Sequence, residues 1–276
     1  MTLEAISAAR ERGRVVWNHG GASDEAFGPM VVSVLTPASR YFHGVLDMAR
    51  ARVPEAKRVA IVSSSKGPFA KSLLEGAKAH VGRLGLEVGY EATYQPLVGD
   101  LEHVVKGLRK VEADIILSVG RLEDDVRLAR LMMEEGVTAK VVGMVGASTA
   151  AFKEALGKEA GRFVAPSQWE DKGSYTPDVG PRAEELGLKG AEYPGAQACA
   201  MGLIAERCVE LAETLDDEAL WEVALTLDCT TFYGRFRVDD VGRQVGHGMV
   251  VVRWEGGERR VVWPVEAERG RFIAGG

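Results

Sequence analysis

Between residues 58 and 165 the sequence repeats one unit, an apolar run, a turn bearing glycine or serine, and a stretch of helical pattern. The runs fall at 58–62, 87–94, 115–119, 140–144 and 162–165, and the helical stretches end near Leu84, Lys110 and Glu135. Strands alternating with helices of ten or more residues make βαβ units on a parallel sheet. Right-handed crossovers then bring the loops that follow the strands to one edge of that sheet.

The flanking segments read differently. Residues 1–14 predict an amphipathic helix, with Leu3, Ile6, Ala8 and Ala9 against Glu4, Arg10, Glu11 and Arg12. They hold no apolar core and no small-residue cleavage site of a secretion signal. An apolar run at 15–17 enters the polar turn Asn18, His19, Gly20, Gly21, Ala22, Ser23 and Asp24, an α/β signature. A second run at 31–35 leads to Thr36 and Pro37, which predict an N-cap and first helical position. Residues 168–192 show no sustained period and are expected to form an irregular crossover. Two helices are expected over 195–214 and 216–224. From 231 to 264 the pattern turns to period two, with Gly256 and Gly257 as a hairpin turn.

Composition narrows the function. The 276 residues carry a formal net charge of -6 with both signs interspersed, so neither nucleic acid nor an anionic membrane is expected as partner. No apolar run approaches the ~18 residues of a membrane span. Cys199, Cys208 and Cys229 are expected to be small buried residues, since no CxxC occurs and no His lies at metal-ligand spacing. No metal or cofactor is therefore implied. Gly21, Ala22 and Ser23 do not make G-x-S-x-G, and neither a P-loop nor H-E-x-x-H is present. Gly143 to Gly146 lacks the glycine spacing of a dinucleotide site. No positioned acid completes His19 and Ser23 as a base and nucleophile, so the chain is not expected to be an enzyme.

The ordered set of phrases resembles the type I periplasmic binding fold, in the Leu/Ile/Val/amide class of ABC-transporter solute receptors. The residues that carry it are the turn from Asn18 to Asp24 with Phe27, the phrase from Val34 to Tyr41, and Val59 to Val62. Pro68 to Lys71, Gly76 with Ala77, Ser167 to Trp169, Thr230 to Gly234, Met249 to Val252 and Val261 to Pro264 complete it. The resemblance implies an α/β, two-lobed fold of parallel sheets flanked by helices. In that family a βαβαβ segment precedes the helix that opens this chain, so the first lobe is expected to be incomplete. The implied division is 1–52 with 195–238 for lobe 1, 53–166 for lobe 2, 167–194 for the crossover, and 239–276 for an antiparallel ribbon at the hinge.

Such receptors hold a small solute in an interlobe cleft and deliver it to an ABC-transporter permease outside the cytoplasm. A cytoplasmic ligand sensor of the same fold is the second reading. On lobe 1 the resemblance points to Asn18, His19, Gly20, Gly21, Ala22 and Ser23, where glycine admits a close ligand and Ser23 offers donor and acceptor; an ordinary tight turn is the competing explanation. On lobe 2 it points to Ser64, Ser65 and Lys66, to Gly120 with Arg121, and to Val145 with Gly146. Arg121 either clamps a carboxylate or is an exposed strand-end arginine. Trp169 and Tyr193 are either an aromatic wall or packing. Amino-acid receptors of this class commonly place an acid near Val145 to pair with the ligand's ammonium; a valine does not supply one, which weighs against an α-amino acid and leaves room for an amide, a carboxylate or an aromatic acid. Glu123, Asp124 and Asp125 are read as ordinary first-turn helix acids. A lobe lacking a segment would leave the strands at 15–17 and 31–35 with a bare edge, so that either self-association through lobe 1 or poor stability of that lobe is expected, with lobe 2 well folded.

Overall fold

β3 (Arg58–Ser64), β5 (Ile115–Val119) and β6 (Val141–Met144) are apolar nearly throughout, and in the computed structural model every residue of β5 and β6 is buried. That is the mark of parallel strands covered on both faces. The structure describes residues 3–97, 100–170 and 193–264, together with Glu185 and Gly187. The chain divides into two compact units, Met1–Ala38 with Gln168–Met249, and Ser39–Ser167 with Val250–Gly276.

The second unit is built on a seven-stranded sheet of order β11-β10-β7-β6-β5-β3-β4. β4 (Glu87–Tyr94), β3, β5, β6 and β7 (Val164–Ser167) run parallel. β10 (Val250–Glu255) lies antiparallel on β7, and β11 (Glu258–Trp263) closes the edge. Gly256 and Gly257, both at positive φ, make the expected hairpin turn. One large cluster joins Ala60 and Val62 to Val104, Val105 and Leu108 of α4 (Leu101–Val111) and to Leu128, Ala129 and Met132 of α5 (Leu122–Glu134). Phe152 of α6 (Ala150–Leu156) belongs to it too. α2 (His43–Arg52) and α3 (Pro68–Arg83) also pack against strands of this sheet. β4, at the other edge, alternates exposed with covered residues, and its Glu87 and Glu91 charge the open side, which discourages edge pairing.

The first unit is built of shorter pieces. α1 (Leu3–Glu11) sets Ile6 against Ala26 and Val31. β1 (Val16–Asn18) and β2 (Val31–Ser33) form a two-stranded parallel sheet. The Ser33 N–H donates to the Gly242 carbonyl, so the far side of β2 is covered, whereas β1 pairs only with β2 among the described residues. The last two helices are α7 (Tyr193–Ala212) and α8 (Asp217–Thr226), and β8 (Cys229–Thr231) pairs with β9 (Gly234–Phe236). Asp217 accepts from the Val15 N–H at 2.8 Å and pairs with Arg14 at 2.8 Å, fixing the entry to β1.

Several expectations are corrected. Thr36 starts no α-helix. It is buried, and the amide of Gln168 pairs with its backbone in both directions, the Thr36 N–H donating at 3.0 Å and its carbonyl accepting at 2.9 Å. A short 3-10 turn, Ala38–Arg40, follows, and α2 begins only at His43. Residues 39–52 fall in the second unit because α2 packs on β7, β10 and β11. The closing ribbon supplies two strands of the second unit's sheet rather than a separate element, while 239–249 belong with the first unit. Cys199 is exposed and Cys229 half-buried, leaving only Cys208 in a core. Most of the expected crossover, residues 171–184, 186 and 188–192, lies outside the described residues.

α3 lies close on the chain before α2. A Cβ at Gly76 would collide with the Ser39 carbonyl and Cα, which are backbone and cannot swing aside. Gly76→Ala should therefore cost about 2–3 kcal/mol. Gly82 of the same helix has open space around it, and Gly82→Ala should gain up to about 1 kcal/mol. Urea unfolding of both variants checks the contrast.

Candidate functional site

β1 delivers Asn18 to the end of the small sheet with no exposed surface. Its Oδ1 accepts from the Gly20 N–H at 3.2 Å and the Gly21 N–H at 2.8 Å. Its Nδ2 donates to the Gly21 carbonyl at 2.8 Å and to Ser33 Oγ at 3.3 Å. One buried amide thus folds the turn on itself. Gly21 lacks a side chain to suit this arrangement, since a Cβ there would lie 3.3 Å from Asn18 Oδ1. Gly20 and His19 face solvent, and Gly20 has open space about its Cα. Ala22 is buried and its carbonyl accepts from the Ala38 N–H. Ser23 is buried as well, its hydroxyl accepting from the Glu25 N–H at the start of the 3-10 turn Asp24–Ala26.

In the second unit the loops after β3, β5 and β6 emerge from three neighbouring parallel strands, hence at one end of the sheet. Ser64 is buried, its Oγ accepting from the Lys66 N–H, whereas Ser65 and Lys66 are exposed. Gly120 is half-buried and Arg121 exposed. The Lys66 ammonium and the Arg121 guanidinium have no hydrogen-bond or ion-pair partner among the described residues. Val145 is half-buried and Gly146 buried, at the start of the 3-10 turn Val145–Ser148.

Asp125, read from sequence as an ordinary first-turn helix acid, bridges β5 and the turn after β6 at this end of the sheet. It has no exposed surface. Its Oδ1 accepts from Ser118 Oγ of β5 at 2.6 Å, and its Oδ2 from the Gly146 N–H at 2.7 Å. Asp125 crowds both Gly120 and Gly146, the latter together with the Leu122 Cα, which would lie 3.0 Å from an added Cβ. A Cβ at Gly120 would strike Asp125 Oδ1 and lie 2.7 Å from the Tyr94 hydroxyl, and one at Gly146 would lie 3.0 Å from Asp125 Oδ2. Neither glycine has a left-handed φ. Burial is the main cause that pushes the Asp125 carboxyl up to about 7, aided by Asp124 and opposed by the Ser118 and Gly146 bonds. Asp124 is 3% exposed; its Oδ1 accepts from the Leu97 N–H and its Oδ2 has no partner among the described residues. The Tyr94 hydroxyl is raised by burial and by the two carboxyls. The sequence did carry a signal, since Asp125 shares the helical spacing of the apolar Leu128, Ala129 and Met132.

The closing ribbon holds the same turn from its far side. Trp254 Nε1 donates to the Ala147 carbonyl at 2.8 Å, and Arg259 donates to the Ser148 carbonyl at 2.9 Å while lying over the Trp254 ring. Nothing in the sequence links residues so far apart. Trp169 is buried, donates from Nε1 to the Phe232 carbonyl at 3.1 Å, and meets the Phe232 ring edge-on, which is packing. Tyr193 opens α7, half-buried. Among the described residues no group of three His, Cys, Asp or Glu is placed to hold a metal ion, and no helix is long and apolar enough to cross a membrane.

The chain belongs to the periplasmic binding protein family, whose model matches residues 1–258. Its fold is that of the type I class. It is similar to a leucine binding protein from Thermotoga maritima, at 18% identity and a TM-score of 0.73 over 84% of this chain and 67% of that one. It is similar also to a leucine-, isoleucine-, valine-, threonine- and alanine-binding protein from Brucella ovis, at 12% identity and a TM-score of 0.79 over 91% of this chain and 68% of that one. A periplasmic binding protein from Burkholderia mallei matches at 16% identity and a TM-score of 0.75, over 98% of this chain and 77% of that one. At these identities the likeness concerns the fold. The chain spans about two thirds to three quarters of these proteins' length.

Two measurements test the site chemistry. Asn18→Ala removes four hydrogen bonds at one buried side chain and should cost about 2–3 kcal/mol, with faster hydrogen exchange at Gly20 and Gly21. Because the folded carboxyl of Asp125 binds its proton more tightly than the unfolded one, its contribution is greatest below pH ~4 and is lost as pH rises to about 7. Stability of the wild type relative to Asp125→Asn should fall across that window, by on the order of 2–4 kcal/mol. Urea midpoints of the two proteins from pH 4 to 8 decide it.

Proposed function

We propose that this chain is the substrate-binding component of an ABC transporter and holds a small polar or amphipathic solute, an amino acid, amide or carboxylate, at its strand-end loops. Family membership supports the receptor role. The observation that carries the solute class is the pair of cations, Lys66 and Arg121, at the same end of the second unit's sheet and without partners among the described residues. An exposed guanidinium with no internal acceptor suits a ligand carboxylate, and the hydroxyls of Ser64 and Ser65 add neutral donors and acceptors beside it. On the first unit the exposed Gly20 and His19, on a turn made rigid by Asn18, are the contacts we assign. The named amino-acid binding of the Thermotoga and Brucella proteins supports an amphipathic amino acid as the first candidate.

The remaining parts of this reading are an extracytoplasmic location and a permease that receives the solute. The edge of β1 away from β2, which pairs with no other strand among the described residues, is also proposed as a surface for self-association.

Calorimetric titration with L-leucine, L-valine and their amides tests the solute class. The free acids should bind, and Arg121→Ala should weaken them about tenfold, the loss of one charge-assisted hydrogen bond, while changing the amides little. Absence of heat with all four, or equal loss for acids and amides, would reject the carboxylate reading. Light scattering that finds a monomer at every concentration would reject the β1 surface.

A further inference from the structure

The Val145–Ser148 turn is tied down at three points, by Asp125 at the Gly146 N–H, by Trp254 at the Ala147 carbonyl and by Arg259 at the Ser148 carbonyl. Of the three, only the first tie can change strength with protonation near neutral pH, because an indole N–H is neutral throughout and a guanidinium keeps its charge. We propose that Asp125 is the positioning residue of this turn, and that its ionisation sets how firmly the turn is held against a bound solute. This rests on reading the turn as part of the solute site.

The geometry gives the two states. As a carboxylate, Asp125 accepts from Ser118 Oγ and from the Gly146 N–H, both charge-assisted. When a proton is taken up it sits on Oδ1, facing Ser118, whose hydroxyl turns to accept it. Gly146 is then left on a neutral carbonyl oxygen, and a neutral bond is roughly half as strong as a charge-assisted one. The lock weakens and does not open. Asp125 is sealed from solvent and forms no ion pair among the described residues, so no cation holds it permanently ionised.

The groups facing it reinforce this. Asp124, on the same helix, is buried with one oxygen unpartnered among the described residues. Tyr94, from the end of β4, brings a neutral hydroxyl beside Gly120. Arg121 at the helix start is exposed to solvent, and Arg259 of β11 is engaged on the Ser148 carbonyl. Burial and the Asp124 charge push the Asp125 carboxyl up to about 7, which places the change of state near neutral pH.

Asp125→Asn separates positioning from titration. Its Oδ1 still accepts from Gly146 and its Nδ2 donates to Ser118 Oγ, so the tie persists without a titrating group. The Gly146 amide resonance is followed in proton–nitrogen correlation spectra from pH 5 to 9. In the wild type it should titrate with a midpoint near 7, and in Asp125→Asn it should stay flat. A wild-type Gly146 signal that is flat over this range, or one that titrates equally in the variant, overturns the proposal. L-leucine affinity measured over the same range should tighten about fivefold from pH 6 to 8 in the wild type, the difference between a neutral and a charge-assisted bond, and not at all in the variant. A flat leucine affinity alongside a titrating Gly146 overturns the regulatory part. No leucine binding at any pH sinks the amino-acid reading instead, and the amide titration still decides the role of Asp125.

Discussion

Burial of β5 and β6 on both faces is the constraint from which the second unit follows. A strand covered on both sides can carry almost no polar side chain along its length. Chemistry is therefore pushed to the points where the strands stop. Ser118 is the one hydroxyl on β5, and it is spent on Asp125. The exposed polar groups Ser65, Lys66 and Arg121 all appear in the first residues past a strand end. The loops are thus held by the sheet, and the sheet needs nothing from the loops.

The parallel strands were the most legible part of the sequence. The runs at 87–94 and 115–119 coincide with β4 and β5, because an apolar period bounded by turn residues leaves little freedom. The order of elements likewise fixed the family. What failed to show were the effects of partners far along the chain. Thr36 followed by Pro37 has every local mark of a helix start. Its backbone is instead taken by the Gln168 amide, 132 residues away, and no local rule foresees that. Asp124 and Asp125 obey the rule for helix first turns and also sit on the buried side, a distinction that depends on what the helix packs against.

At the candidate site the sequence placed the loops and misread the reason for their glycines. The loops named from the sequence lie at strand ends as expected, and those of the second unit share one end of the sheet. The glycines were read as room for a ligand. At Gly21, Gly120 and Gly146 the absent Cβ makes room for a neighbouring side chain of the protein, Asn18 in the first case and Asp125 in the other two. Only Gly20 is open to solvent in the sense the sequence suggested. A glycine in a turn records a close approach, and composition alone does not say what approaches.

The ties from Trp254 and Arg259 to the Val145–Ser148 turn span 107 and 111 residues. A ribosome releases the chain from the first residue onward, so the turn is made long before the ribbon that braces it. Until residue 259 clears the exit tunnel, the β7 edge on which β10 will lie is bare, and the turn has only its Asp125 tie. The first unit waits in the same way, since residues 1–38 need the segment 168–249 to complete them. Neither unit reaches its final form until its late segment has been made, and those late segments, 168–249 for the first and 250–276 for the second, follow one another directly.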